Sequence, residues 1–427
     1  MVKIKKGTEK KPKKNKKQNS KLKTRKQRKP RKPKKSRETK KLSIDEPIII
    51  KSRTPDEDKD LSKEIYNDLK KSKPKEGKQK EDIEQVVDDI KQSPLIRSFS
   101  PAINRQLVSL KSIAPENILG CEDLLQVKIG KKCVNSTSKQ AQRKLLHNLR
   151  SSKHLDCSRF IAPKQYNSNC WFNTMFVSFF FSDKGRKFFR FLRQLMIVGE
   201  KSNGEKIPQE LAELFSTFNI IIDTYYNQVN NPNEKLIRNF NTNYFIENLH
   251  NILIKKYIRV YKKNESGNPI EYYKNIIKYL NYNVVNIINV ELETSASNEV
   301  INNKVNREID FYTDNNNYPE IIIVEMLDDE SKKIANRELK LNLTDKNGNI
   351  HNYVLDAVIM RDRDKQHFSS LLTCGGTEYS FDGASYSRLN QFKWTDYLNK
   401  KRYWGFEGHD LKWGFMSSYQ MLFYYKI

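Results

Sequence analysis

The segment Gln165-Tyr166-Asn167-Ser168-Asn169-Cys170-Trp171-Phe172-Asn173-Thr174 decides how the chain is read. Polar, turn-forming residues give way at Cys170 to a run in which Phe172, Met175, Phe176, Phe179 and Phe180 recur at i, i+3, i+4, i+7 and i+8. That spacing predicts a strongly amphipathic helix opening at the cysteine, with Asn and Ser residues before it suited to capping. A helix start presents unpaired N–H groups and partial positive charge, which favour thiolate over thiol in a cysteine placed there. Gln165, upstream, could aim its amide N–H at an oxyanion forming on a carbonyl attacked by that sulfur. Asn167 and Asn169 are the alternatives, and the backbone N–H of Cys170 is the second donor.

A lone cysteine is ordinarily a small buried hydrophobe, and Cys121, Cys133, Cys157 and Cys374 are expected to be inert residues of that kind. Cys170 differs by its setting. The Phe stripe behind it reads as core packing and implies no cofactor.

A thiolate nucleophile needs a base, and the chain holds six histidines: His147, His154, His250, His351, His367 and His409. His367 opens the expected strand HFSSLL. The chain then turns at Cys374-Gly375-Gly376-Thr377 and returns through Glu378-Tyr379-Ser380-Phe381-Asp382-Gly383. A hairpin turning at the two glycines lays Asp382 beside His367, so that the carboxylate can hold one imidazole nitrogen while the other faces Cys170. Asp-Gly is also an ordinary turn pair. His409, in Glu407-Gly408-His409-Asp410, is the competing base, but it lacks a returning Phe-Asp.

The order of a Cys segment, a long interval, His-aromatic, Tyr-x-Phe-Asp-Gly and a closing Tyr419-Gln420-Met421-Leu422-Phe423-Tyr424 resembles the ubiquitin-specific proteases. NYVLDAVIM and YPEIIIVEML resemble strands of that family, and FIENLHNIL a helix that follows its first box. The resemblance spans about residues 158 to 427. It implies an α+β, papain-like cysteine protease fold with a helical half and an antiparallel-sheet half meeting at a cleft. By match the nucleophile falls on Cys170, the base on His367, the orienting acid on Asp382 and the oxyanion donor on Gln165. The family has Asn where this chain has Gln165, and Gly-His-Tyr where it has Gln366-His367-Phe368. Its paired Cys-x-x-Cys zinc sites have no counterpart among five scattered cysteines, so neither metal nor cofactor is expected.

Composition sets the frame for these motifs. The chain has 427 residues, 79 Lys+Arg against 51 Asp+Glu and a formal net charge of +28, with only 15 Gly, 14 Pro and five Cys. Collagen-like and disulfide-stapled classes are excluded. Without a long apolar run or an apolar N-terminal core, neither a membrane span nor a secretory signal is expected, and an intracellular protein, nuclear or cytoplasmic, in a reducing compartment is the default. Residues 1–41 hold 22 Lys+Arg and 2 Asp+Glu, a net +20, without an aromatic residue. They are read as a disordered polybasic tail that binds nucleic acid non-specifically through phosphates or serves as an import signal; no apolar anchor suggests a membrane.

Residues 42–100 read as a mixed-charge linker, with short helices around Leu61–Leu69 and Ile83–Ile90. Residues 101–155 read as an N-terminal extension with a helix at Lys139–Leu149, and residues 156–427 as the papain-like domain. Within that domain the chain reads as helical to about residue 282 and as short strands beyond it. The sequence as a whole therefore suggests a thiol protease that hydrolyses ubiquitin or ubiquitin-like conjugates after the terminal glycine. Two other functions fit the same residues. One is a papain-like maturation protease of a large DNA virus particle, compatible with an Asn/Ile/Lys bias typical of AT-rich genomes. The other is an inactive protease-like scaffold that binds nucleic acid through its tail.

Overall fold

The computed structural model describes residues 47–50, 121, 125–150, 157–166, 168–226, 242–253, 269–280, 287–292, 296–312, 318–326, 337–362, 366–384 and 388–427. The basic stretch 1–41 and the helices expected around Leu61–Leu69 and Ile83–Ile90 lie outside these residues. Of the stretch read as a linker, Ile48–Ile50 forms β1. Within residues 101–155, β2 (Gln126–Ile129) and β3 (Lys132–Asn135) pair as a hairpin, followed by α1 (Lys139–Arg150).

A helical series comes next: α2 (Cys170–Phe180), α3 (Asp183–Phe188), α4 (Arg190–Val198), α5 (Gln209–Tyr226), α6 (Asn243–Leu253) and α7 (Pro269–Tyr279). It precedes β4 (Ile287–Leu292), α8 (Asn298–Tyr312), β5 (Ile321–Met326), β6 (Lys340–Thr344), β7 (Ile350–Arg361), β8 (Phe368–Cys374) and β9 (Thr377–Phe381). The chain closes with β10 (Asn390–Gln391), β11 (Tyr403–Phe406), β12 (Trp413–Gly414) and β13 (Tyr419–Lys426). Helices followed by strands give the expected α+β class, with a helical half and a mostly antiparallel sheet. Helix α8 is the departure: it interrupts the part read as strands, because Ile301, Val305 and Ile309 bury one helical stripe against the sheet.

Among the described residues eight strands make the main sheet, in the order β10-β9-β8-β7-β13-β5-β4 with β6 added on β7, and of these only β4 and β5 pair in parallel. Alternation gives the sheet two apolar faces. On β13, Tyr419, Met421, Phe423 and Tyr425 join the core beneath the helices, whereas Leu422 and Tyr424 join a second core with α8 and the Trp404–Trp413 pair. A sheet covered on both faces explains why β13 is apolar at nearly every position.

Helix α2 lies at the centre of the first core. Amphipathicity was expected, yet every residue from Trp171 to Phe180 is buried. A helix apolar nearly all round is enclosed by its neighbours rather than laid on a surface. Phe172, Phe176, Phe179 and Phe180 make edge and stacked contacts with Tyr273, Phe218, Phe189 and Phe423. Each large apolar side chain so buried stabilises the fold by about 1.5–3 kcal/mol before entropy is counted, which makes the start of α2 a rigid platform.

One irregularity joins the two halves. In the β7/β13 ladder Tyr424 pairs with Leu355 and Phe423 with Ala357, so Asp356 is the extra residue of a bulge. Its carboxylate accepts hydrogen bonds from the backbone N–H groups of Lys184 (2.7 Å) and Gly185 (3.4 Å) at the start of α3. Burial pushes this carboxyl up to about 6, against the opposing pull of Ser182 and those N–H groups.

Candidate active site

Cys170 is the first residue of α2, partly exposed, and the one free cysteine of the five. Its helix is fixed to the sheet: the hydroxyls of Ser178 on α2 and Ser370 on β8 are 3.0 Å apart in the core. Asn169 occupies the N-cap position, but its side chain does not cap the helix. Instead Oδ1 accepts from the backbone N–H of Tyr166 (3.0 Å), closing the preceding loop on itself. Asn167, one alternative oxyanion donor, lies outside the described residues.

His367 directly precedes β8, the strand α2 packs against. Its Nε2 lies 2.6 Å from Asp382 Oδ1, and the ring also hydrogen-bonds Cys170. With Nε2 engaged by Asp382, Nδ1 is the nitrogen left for the thiol. Burial alone would lower the ring's affinity for a proton. The hydrogen bonds to Asp382 and Cys170, and the charges of both, outweigh it and raise His367 to about 10. The site therefore favours a protonated imidazole beside the buried carboxylate.

Backbone and aromatic contacts fix the ring. The carbonyl of His367 accepts from Asp362 N–H (2.7 Å) and from the indole of Trp413 (3.1 Å), whose ring lies beside the imidazole. Gln366 takes a left-handed φ of 55° to turn the chain into this position. A glycine would enter that conformation without strain; here a non-glycine residue bears it.

Asp382 is fully buried just past the end of β9, and its Oδ1 also accepts from Ala384 N–H (3.1 Å). The next residue joins this turn to the loop before the nucleophile. The carbonyl of Gly383 accepts from Gln165 N–H (2.8 Å), and a Cβ on Gly383 would lie 3.1 Å from Pro163 O and 3.2 Å from Gln165 N. The loop bearing Gln165 thus rests on the backbone of the Asp382 turn. The structure brings Cys170, His367 and Asp382 together, with Gln165 in the adjoining loop.

The far end of the hairpin is tied as well. Asp183 accepts from the N–H groups of Gly375 (2.8 Å) and Gly376 (2.9 Å), both at positive φ. Four cysteines expected as separate inert thiols are instead paired, Cys121 with Cys133 and Cys157 with Cys374. Cys157 and Cys374 are 217 residues apart, and sequence spacing carries no information on such a partnership. Their bond joins the segment leading to the nucleophile to the hairpin between His367 and Asp382.

The other described histidines have different settings. His351 binds Asp345 (3.0 Å) and stacks on Tyr318, and His409 is exposed in a turn after β11. His154 lies outside the described residues. Among the described residues no group of three or more His, Cys, Asp or Glu is placed to hold a metal, and no helix is long and apolar enough to cross a membrane.

No protein-family model matches the chain, and neither does any curated protein. Among solved structures it is similar to the SAGA Ubp8/Sgf11/Sus1/Sgf73 DUB module bound to ubiquitin aldehyde. The identity is 10%, with 65% of this chain and 71% of the other covered and a TM-score of 0.39. The same module bound to monoubiquitin gives 10% identity, coverage of 64% and 70%, and a TM-score of 0.38. A further Ubp8-Sgf11-Sgf73-Sus1 SAGA DUB module gives 11%, 64% and 68%, and 0.34.

Proposed function

We propose that the chain is a papain-like thiol peptidase that cleaves ubiquitin or ubiquitin-like conjugates after the modifier's terminal glycine. The observation that carries the chemistry is the imidazole of His367 held between the buried carboxylate of Asp382 and the sulfur of Cys170. The substrate class rests on the motif order from the Cys segment to the closing Tyr419–Tyr424 strand, and on nothing finer.

In this scheme Cys170 Sγ, as thiolate, attacks the carbonyl of the scissile bond. The amide of Gln165 and the backbone N–H of Cys170 stabilise the oxyanion. His367, as imidazolium, gives its proton to the departing amine and then draws one from the water that releases the acyl group. Asp382 fixes the ring so that Nδ1 faces sulfur and leaving group throughout. Residues 1–41 are proposed to tether the enzyme to nucleic acid by charge alone, inside the cell; deleting them is expected to leave peptidase activity intact and to abolish a salt-dependent association with duplex DNA.

The test is hydrolysis of a ubiquitin C-terminal fluorogenic reporter by the full chain, beside Cys170→Ala and His367→Ala. Turnover by the wild type that both substitutions abolish, with the fold retained, supports the reading. Equal turnover by Cys170→Ala refutes it.

A further inference from the structure

We infer that Thr242 is a positioning residue of this site, because its single hydroxyl orients the two asparagine amides that hold the loop bearing Gln165. The inference rests on the thiol-peptidase reading for its catalytic consequence, and on geometry alone for its structural one.

An asparagine amide has a donor end and an acceptor end of nearly equal shape, so its partners decide which way it points. Thr242 Oγ1 donates to Asn173 Oδ1 (2.6 Å), which turns the Nδ2 of Asn173 toward the carbonyl of Lys164 (3.3 Å). The same oxygen accepts from Asn169 Nδ2 (2.9 Å), which turns the Oδ1 of Asn169 toward the N–H of Tyr166 (3.0 Å). A hydroxyl can do both because it is donor and acceptor at once. Thr242, Asn169 and Asn173 are each 1% exposed, so bulk water has no access to take over the role.

The consequence falls on Gln165. Lys164 and Tyr166, its neighbours on either side, are held by the two amides that Thr242 sets. Asn243, the first residue of α6, adds a hydrogen bond from Nδ2 to Tyr166 O (2.9 Å). Gln165 itself is fixed by its N–H to Gly383 O. Four groups thus hold three consecutive residues of the loop, and Thr242 governs two of them from 73 residues beyond Asn169. A loop that must present a donor to a developing oxyanion gains from being set before substrate arrives, since the donor then pays no reorganisation during reaction.

Thr242→Val keeps the shape and removes both hydrogen bonds, whereas Thr242→Ser keeps the hydroxyl. Each full-length variant is to be assayed with the ubiquitin reporter, and hydrogen exchange is to be followed at the Tyr166 amide. The expectation for Thr242→Val is a fall in kcat of about 10- to 100-fold with KM within about twofold, and faster exchange at Tyr166. Thr242→Ser is expected to restore both to near wild type. A Thr242→Val protein with wild-type kcat and wild-type protection overturns the inference, and so does a loss that Thr242→Ser fails to restore. Should the wild type turn over no ubiquitin reporter, the proposed substrate falls separately. Exchange at Tyr166 then decides alone: lost protection in Thr242→Val, regained in Thr242→Ser, supports the positioning role, and unchanged protection overturns it.

Discussion

His367 Nε2 and Asp382 Oδ1 lie 2.6 Å apart, with the carboxylate wholly removed from solvent and the imidazole nearly so. Burial acts to lower the ring's affinity for a proton, but the hydrogen bonds and charges of Asp382 and Cys170 outweigh it, Asp382 foremost, which is why His367 stands at about 10. Asp382→Asn is expected to lower kcat/KM by about 10²–10⁴-fold. It is also expected to move the alkaline limb of the pH–rate profile down from near 10 toward the ordinary histidine range. The sign extends to stability. A histidine raised in the folded state contributes fully below its unfolded value of about 6.5, and that contribution is lost as pH rises through about 10. Denaturant titrations from pH 6 to 10 should show this decline in the wild type and little of it in Asp382→Asn.

Gly383 offers a test of the contact between the Asp382 turn and the Gln165 loop. Adding a methyl there places a carbon against Pro163 O and Gln165 N, at distances where backbone must give way by a few tenths of an ångström. Gly383→Ala should lower kcat by about tenfold or more, while alkylation of Cys170 by iodoacetamide, which needs no oxyanion donor, stays within about twofold of wild type. Equal losses in both assays would show that the substitution disturbs the nucleophile itself.

Four paired cysteines and one free thiol give a countable expectation. Alkylation of the unfolded, unreduced chain followed by mass measurement should add one label, on Cys170, and five after reduction. The Cys157–Cys374 bond closes a long loop, so the double substitution to Ser should reduce stability by about 2–5 kcal/mol in denaturant titrations under non-reducing conditions. A single-label count that maps to any other cysteine contradicts the pairing.

Asp356 predicts a second pH dependence of the same sign in a lower window. Its carboxyl is raised in the folded chain, so folding favours the protonated form; that contribution is full below about 3.8 and is lost as pH rises through about 6. Asp356→Asn removes the dependence while keeping an acceptor for the Lys184 N–H. The variant's melting temperature relative to wild type should therefore be higher at pH 7.5 than at pH 4.5. A difference independent of pH would place the ionisation elsewhere.

The hairpin that returns Asp382 to His367 was legible because its information is local: two glycines, a β-rich run on each side and a short loop fix the register. The strands β5, β7 and β13 were legible for the same reason, each being a short run of β-branched and aromatic residues bounded by turns. Cys170 at the head of α2 followed from helical spacing. What surrounds these residues was not legible. The Cys157–Cys374 bond and the Thr242–Asn173 hydrogen bond join positions far apart in sequence, and an asparagine beside a helix start reads as a cap whether or not it caps. Asn169 shows the difference, since its side chain serves the loop and not the helix. The enclosure of α2 on all sides was missed because Asn173, Thr174 and Ser178 look like a polar face, yet they are buried and hydrogen-bonded.

The central claim is that Cys170, activated by His367, attacks the carbonyl at the end of a ubiquitin-like modifier. It is tested most directly by incubating the full chain with ubiquitin carrying an electrophile in place of its terminal carboxylate, and by locating the adduct by mass. The account predicts one equivalent of covalent ubiquitin on Cys170, strongly slowed in His367→Ala and absent in Cys170→Ala. An adduct on another cysteine, or one that forms equally fast without His367, contradicts it.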